Sequence, residues 1–120
     1  MGLIIIDTNI VIYAIKGLKL VEPYLEYDFA ISEITTIELL GVKNIDPEIL
    51  LGRKKYLGSI TNFSLTPEIR EITIRLKQKY TLKIPDAIIA ATALYYDVTL
   101  LTADKDFDKL KELTSIIVSI

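Results

Sequence analysis

The sequence predicts an α/β fold in which a mostly parallel central sheet lies between two layers of helices. Five short apolar runs, rich in β-branched or aromatic residues, indicate strands buried on both faces: 3–6, 29–31, 63–65, 98–101 and 116–118. Helical patterns separate them at 8–17, 33–42, 47–59, 67–79 and 86–96, with a short one at 105–112. Because strand and helix alternate, we expect a three-layer α/β/α sandwich whose ligands gather beyond the carboxyl ends of the strands.

The residues at the helix ends support these elements. Pro47 and Pro67 fall where a first helical turn accepts proline, and Ser32 is expected to cap the helix at 33–42. Asp97 ends the helix at 86–96, at a position where Gly or Asn would form an easier left-handed cap. We therefore expect a local energetic cost at Asp97 without any effect on chemistry.

The composition limits the chemistry available to this chain. It has 120 residues, 51% of them hydrophobic and 25% charged, so we expect one domain spanning residues 1–120 with a core of its own. It contains no cysteine and no histidine. Disulfides, thiolate and imidazole metal ligands, cysteine nucleophiles and histidine acid–base catalysis are therefore excluded. Any catalytic site must use carboxylates, amines and hydroxyls.

No segment has the pattern of a targeting or membrane-spanning sequence. The first residues lack a basic region before their short apolar run, and the longest apolar stretch, 87–96, is about half of the ~20 residues that cross a bilayer. We expect a soluble, cytoplasmic protein with no membrane partner.

The net charge of −2 argues against a broadly basic surface. Local basic groups could still contact phosphates, although charge runs on helices are more often solvated faces. These groups are Arg53-Lys54-Lys55, then Arg75, Lys77, Lys79 and Lys83, and finally Lys105, Lys109 and Lys111.

Three aspartates lie where a strand or loop passes into a helix. Asp7 follows the strand at 3–6, Asp104 follows the strand at 98–101, and Asp86 begins an apolar helix. Taken singly, each is explained as a helix cap or as a favourable charge in a first helical turn. All three nevertheless fall at one predicted edge of one sheet, which favours a shared site.

Glu38 is the fourth candidate acid. It lies inside the helix at 33–42, on a face whose neighbours one turn away include Ile34, Thr35 and Val42 rather than a basic residue. A solvated glutamate is the ordinary explanation. A carboxylate on a largely apolar face is costly without a cation or proton, so the position of Glu38 favours a positively charged partner.

A calcium loop of the EF-hand type does not explain the alternation of Asp104, Asp106 and Asp108. That loop requires Gly at its sixth position and Glu at its twelfth, where this chain has Lys109 and Ser115.

Four clustered acids require positive charge. Two carboxylates about 4 Å apart in a partly shielded site repel by roughly 4 kcal/mol at an effective dielectric near 20. Mg²⁺ or Mn²⁺ fit best, because both are hard ions that prefer oxygen ligands and keep some of their waters. An acidified water on such an ion can attack a phosphodiester. The acids therefore predict a divalent-metal site that hydrolyses phosphodiesters.

These segments resemble the PIN-domain family, particularly its VapC-like toxins, over nearly the whole chain. Each segment is a modest signal, but their order and spacing are specific. The segments are Ile-Ile-Asp7-Thr-Asn9, Ile31-Ser-Glu-Ile-Thr-Thr-Ile-Glu38-Leu-Leu, Pro85-Asp86-Ala-Ile-Ile-Ala-Ala-Thr-Ala-Leu94 and Leu100-Leu-Thr102-Ala-Asp104-Lys-Asp-Phe107.

The resemblance implies a PIN-like fold and a magnesium- or manganese-dependent endoribonuclease. It implies a homodimer that is inhibited by a small antitoxin protein, as in VapBC-type toxin–antitoxin pairs; a stand-alone PIN nuclease in RNA processing is an alternative. The implied catalytic and metal-binding acids are Asp7, Glu38, Asp86 and Asp104, with supporting roles for Asn9, Thr102 and the outer carboxylate Asp106.

Two other interpretations predict different features. A receiver-like, magnesium-binding signalling domain would need an acidic pair after the first strand and a phosphorylatable aspartate after the third. Here Asp7 stands alone, and residues 63–66 contain no acid. A PIN-like fold that serves only as a binding module is the second interpretation, since fold does not determine function. The presence of all four acids argues against it.

Overall fold

A five-stranded parallel sheet forms the centre of the protein in the computed structural model, which describes residues 2–120. The order across the sheet is β3-β2-β1-β4-β5, and every neighbouring pair is parallel. The predicted α/β fold with a mostly parallel sheet is confirmed. The strands are β1 (Leu3–Ile6), β2 (Asp28–Ser32), β3 (Thr61–Phe63), β4 (Thr99–Thr102) and β5 (Ser115–Ile117).

Helices cover both faces of the sheet, which gives the three layers. On one face, α1 and α3 pack with the side chains of Ile4 and Ile6; on the other, α4 and α5 pack with Ile5. Because β1 is buried on both faces, its sequence is continuously apolar rather than alternating. The helices are α1 (Thr8–Ile15), α2 (Glu33–Leu40), α3 (Pro47–Leu57), α4 (Pro67–Lys79) and α5 (Ile84–Tyr96).

Helix α5 is the most deeply buried of these helices. Seven consecutive residues, from Ala87 to Ala93, are buried, and four of them are alanines that allow a close approach to the sheet. The first turn of α5, which carries Asp86, is therefore firmly anchored. At the other end, Asp97 adopts the left-handed conformation (φ 53°, ψ 49°) that the sequence indicated.

Several element bounds differ from the prediction. Strand β3 covers Thr61–Phe63 rather than 63–65, because an edge strand paired only with β2 needs no continuous apolar run. The segment predicted as a helix at 105–112 is a 3₁₀ turn at Lys105–Lys109. A second 3₁₀ turn, Lys19–Tyr24, was not predicted, since it contains Pro23 and is too short to show a helical period.

The strand order identifies where a ligand would bind. The chain leaves β1 towards β2 on one side of the sheet and leaves β4 towards β5 on the other, so a crevice opens between the carboxyl ends of β1 and β4. This order differs from the 2-1-3-4-5 order of receiver domains, which contradicts that alternative. Among residues 2–120, no helix combines the length and apolarity needed to span a bilayer.

Candidate functional site

A cavity of about 140 Å³ lies at the carboxyl ends of β1 and β4. No Lys or Arg of the described chain lines it. The structure thus brings the acids from four separate segments to one place, without a basic side chain to neutralise them. Its polar lining consists of the four predicted acids Asp7, Glu38, Asp86 and Asp104, together with Thr8 and Asn9.

Asp7 is both a helix cap and part of this cavity. Its Oδ1 accepts a hydrogen bond from the backbone N–H of Ile10 (3.0 Å), which caps α1. Its Oδ2 accepts one from the hydroxyl of Thr102. Only 5% of Asp7 is exposed. Burial raises its pKa, and the charges of Asp86 and Asp104 raise it further, although the two hydrogen bonds oppose the shift.

Thr102 joins the ends of the two central strands. Its side chain is fully buried (0% exposed), donates to Asp7 and accepts a hydrogen bond from the backbone N–H of Asp104 at 3.0 Å. Asp104 in turn caps the 3₁₀ turn, because its carboxylate accepts from the N–H of Asp106 at 2.9 Å. One hydroxyl therefore sets the positions of two of the acids.

Asp86 lies in the first turn of α5 and is half-buried. Desolvation raises its pKa, and the nearby carboxylates of Asp104, Glu38 and Asp106 raise it further. The ammonium of Lys83 opposes this rise. Asp86 therefore feels the negative charge of three other acids, in a place where water only partly screens it.

Glu38 differs from its prediction in one respect. It is exposed, so burial on an apolar face does not explain its position. The side chain is instead held by a hydrogen bond: the hydroxyl of Thr8 in α1 donates to its Oε1 at 2.7 Å. The same hydroxyl oxygen lies 3.2 Å from that of the fully buried Thr35.

The predicted supporting residues are divided between two places. Asn9 is exposed and lines the acidic cavity. Asp106 is also exposed but lines a separate, neighbouring cavity, which shares Asp86 and Asp104 with the first. Asp106 is close enough to affect the pKa of Asp86 but lies outside the group of four acids.

Comparison with protein families identifies the family of this chain. The family profile of the PIN domain matches residues 4–113, which include all four acids. The chain belongs to the PIN-domain family. The PIN domain is also 34% identical over 128 residues to a protein of Rickettsia bellii named Ribonuclease VapC, with 94% of this chain and 93% of that protein aligned.

Solved structures are similar to this PIN domain over most of their length. A toxin–antitoxin complex from Klebsiella pneumoniae contains a chain with 31% identity and a TM-score of 0.77, aligned over 92% of this chain and 94% of that one. The VapBC2 complex of Rickettsia felis, bound to a promoter DNA fragment, gives a TM-score of 0.81 at 24% identity, covering 98% and 99% of the two chains. That second likeness supports the fold alone.

The side chains of the PIN domain fit a hydrated divalent cation. All candidate ligands are oxygen atoms, which suits Mg²⁺ or Mn²⁺. Within residues 2–120, no three acids stand close enough together to hold an ion unaided. This geometry does not suit a complete protein cage for Ca²⁺, but it suits Mg²⁺, which keeps several waters and uses one or two carboxylates.

Two residues near the acids were missed from the sequence alone. Thr8 and Thr35 lie 27 positions apart, and only the packing of α1 against α2 brings them together beside Glu38. The available signal was weak: a threonine directly after Asp7, and another three residues before Glu38 on the same helix.

Proposed function

We propose that this PIN domain is a divalent-metal-dependent endoribonuclease that hydrolyses RNA phosphodiester bonds. One observation carries the proposal: Asp7, Glu38, Asp86 and Asp104 surround one cavity that no basic residue of the described chain lines. Membership of the PIN family and the relative named Ribonuclease VapC support RNA as the substrate. The acids attract cations, and those cations would in turn attract the phosphodiester.

The surrounding residues orient the acids before RNA arrives. Thr102 and the Ile10 N–H hold the two oxygens of Asp7, and Thr8 holds Glu38. Fixed carboxylates bind an ion with less loss of side-chain freedom. Held among these acids by one or two carboxylates and its own waters, Mg²⁺ or Mn²⁺ would supply positive charge for the scissile phosphate and would acidify the attacking water. The partial burial of Asp86 strengthens its interaction with such a charge.

Cleavage of a labelled single-stranded or loop RNA tests this function. Purified protein with Mn²⁺ or Mg²⁺ is expected to cleave it, EDTA to stop the reaction, and excess Mn²⁺ to restore it. Asp86→Asn and Glu38→Gln should each reduce cleavage by roughly 100-fold or more, because the site loses negative charge that holds the cation. Cleavage that survives in both variants would come from another site or a contaminant.

Asp7 has a matched control in this chain. Asp46 caps α3 as Asp7 caps α1: its carboxylate accepts from the N–H groups of Glu48 (2.8 Å) and Ile49 (3.3 Å). Asparagine caps helices about as well as aspartate, so Asp7→Asn and Asp46→Asn should both preserve their helices. Only Asp7→Asn is expected to lose cleavage. Equal activity in the two variants would contradict a role for Asp7 beyond capping.

We further propose that this nuclease is the toxin of a VapBC-type pair, acting as a cytoplasmic homodimer that a small antitoxin protein inhibits. The toxin–antitoxin complex from Klebsiella pneumoniae, whose matching chain is 31% identical, supports this partner. Expression of the chain alone should arrest growth, and co-expression of a small protein encoded beside its gene should relieve the arrest and co-purify with it. Light scattering tests the dimer. Cleavage without growth arrest, and without such a neighbour, would favour a stand-alone nuclease in RNA processing.

A further inference from the structure

A second cavity, of about 460 Å³, adjoins the acidic one. The two cavities share Asp86 and Asp104, so these aspartates form the boundary between them. Beyond that boundary the lining carries basic side chains as well as the exposed carboxylate of Asp106. Three lysines from separate segments meet there: Lys77 from α4, Lys83 from the loop before α5, and Lys109 from the 3₁₀ turn Lys105–Lys109.

Two of these lysines are fixed by the backbone. The ammonium of Lys77 donates to the carbonyl of Leu82, and that of Lys109 donates to the carbonyl of Thr81 at 2.6 Å. Both carbonyls belong to the loop between α4 and α5. An ammonium has three hydrogens to donate, so each lysine keeps two for a ligand. The side chain of Lys83 makes no hydrogen bond to any described residue.

The lysines and aspartates of this cavity form no direct ion pair among residues 2–120, although the charge of Lys83 lowers the pKa of Asp86 from a longer distance. Within residues 2–120, the only ion pair with nitrogen and oxygen inside 4 Å joins Lys79 to Glu112, and neither residue lines either cavity. A direct ion pair would have left neither the lysine nor the aspartate free to bind a charged ligand. Instead, Lys77 and Lys109 donate to neutral carbonyls, which leaves a basic wall and an acidic wall side by side.

We propose that Lys77, Lys83 and Lys109 form a subsite for a backbone phosphate of the RNA strand, next to the phosphate that is cleaved. This inference rests on the proposed nuclease function. A ligand that spans both walls must be anionic at the lysines and must bring a second anionic group to cations at Asp86 and Asp104. A nucleic-acid backbone meets this requirement, because it repeats a phosphate at every nucleotide.

The subsite has two consequences for recognition. Ammonium groups bind phosphate as point charges, so this contact positions the strand without reading its sequence. It also fixes a path: the strand runs from the acidic cavity towards the loop between α4 and α5. Lys79, which is paired with Glu112, does not line this cavity.

The test measures RNA cleavage and Mn²⁺ binding in lysine-to-glutamine variants. Lys83→Gln is the primary variant, because it removes a charge without removing a structural hydrogen bond. Lys77→Gln and Lys109→Gln follow, with arginine at each position as the charge-preserving variant. Lys79→Gln is the matched control, two residues from Lys77 on the same helix and paired with Glu112.

Loss of a lysine is expected to weaken RNA cleavage but not Mn²⁺ binding. At 0.15 M salt, each lost phosphate contact should lower kcat/KM about fourfold and reduce the slope of log(kcat/KM) against log[salt] by about 0.7. Mn²⁺ affinity, measured by calorimetry, should stay equal or increase, because the lysine charge repels a cation at Asp86. A merely structural role for the lysines would weaken both RNA cleavage and Mn²⁺ binding.

The outcomes separate this inference from the proposed function. Wild-type protein that cleaves no RNA would refute the function itself. Wild-type cleavage with Lys83→Gln and Lys77→Gln indistinguishable from Lys79→Gln, in both rate and salt slope, would overturn the phosphate subsite and leave the function standing. Recovery of the salt slope in Lys77→Arg and Lys109→Arg would support the subsite, and its failure to recover would contradict it.

Discussion

Replacing Thr102 with valine tests whether one hydroxyl organises the acidic site. Valine keeps the shape of threonine but removes the group that donates to Asp7 and accepts from the N–H of Asp104. Thr102 is completely buried, so water cannot easily replace the lost partner on the Asp7 side. Thr102→Val therefore leaves a buried carboxylate oxygen without its donor.

The magnitude follows from the two bonds. Loss of a buried hydrogen bond to a charged group costs about 1.5–3 kcal/mol, and loss of the partly buried bond to Asp104 about 0.5–1 kcal/mol, so we expect a total of about 2–4 kcal/mol. With about 2.1 cal/mol/K of unfolding entropy per residue, a chain of this length loses roughly 4 °C of Tm per kcal/mol. The expected fall in Tm is therefore about 8–16 °C.

Thermal and urea unfolding of the metal-free protein measure this loss, with Thr92→Val as the control. Thr92 is equally buried (1% exposed), but its hydroxyl donates at 2.7 Å to the carbonyl of Ile88, a residue of its own helix. That carbonyl keeps its helical partner, so Thr92→Val should cost less than about 1 kcal/mol. Equal losses in the two variants would refute the role assigned to Thr102. Mn²⁺ affinity should also fall, by roughly 10–100-fold, in Thr102→Val alone.

Three further results are expected. In EDTA, the raised pKa of Asp7 makes its contribution to stability complete below the ordinary aspartate value near 3.8, and this contribution is lost as pH rises through the folded-state pKa. Over that pH window, the free energy of unfolding of Asp7→Asn, measured by urea titration, should rise relative to that of wild type. A difference in unfolding free energy that does not change with pH would contradict this. Saturating Mn²⁺, at 100 times its Kd, should stabilise wild type by about 2.7 kcal/mol, which scanning fluorimetry would detect and Asp86→Asn should abolish. Asp97→Gly should raise stability by about 0.5–1 kcal/mol, because it relieves a left-handed residue and removes a negative charge from the carboxyl end of α5; destabilisation would show that Asp97 has another role.

The fold and three of the acids were accessible from the sequence for one physical reason. Strands buried on both faces must be continuously apolar, so their ends are marked by the first polar residue that follows. Asp7 is such a residue after β1, and Asp104 lies two residues beyond β4, which ends with the polar Thr102. Asp86 is marked as the charged residue directly before the apolar part of α5. Parallel strands bring their carboxyl ends to one edge, so these positions predict proximity without any knowledge of the side-chain contacts.

The remaining features depend on packing between distant segments. The exposed Glu38 is oriented by Thr8, whose hydroxyl reaches it only because α1 lies against α2. The three lysines of the second cavity come from two charge clusters of the sequence, and Lys77 and Lys109 converge because each donates to a carbonyl of the same loop. Charge runs along a chain do not reveal such convergence, since the residues of each run could equally lie on a solvated helix face.

The comparison of two caps shows why Asp7 is more than a structural residue. Asp46 and Asp7 cap their helices through similar hydrogen bonds, yet Asp46 is exposed, whereas Asp7 is buried beside two other acids that raise its pKa. Capping requires only a short polar side chain, which an exposed residue supplies at no desolvation cost. The burial of Asp7 therefore exceeds what α1 needs. A cation bound at the cavity would offset that cost, so the same carboxylate that begins the helix is well suited to bind metal.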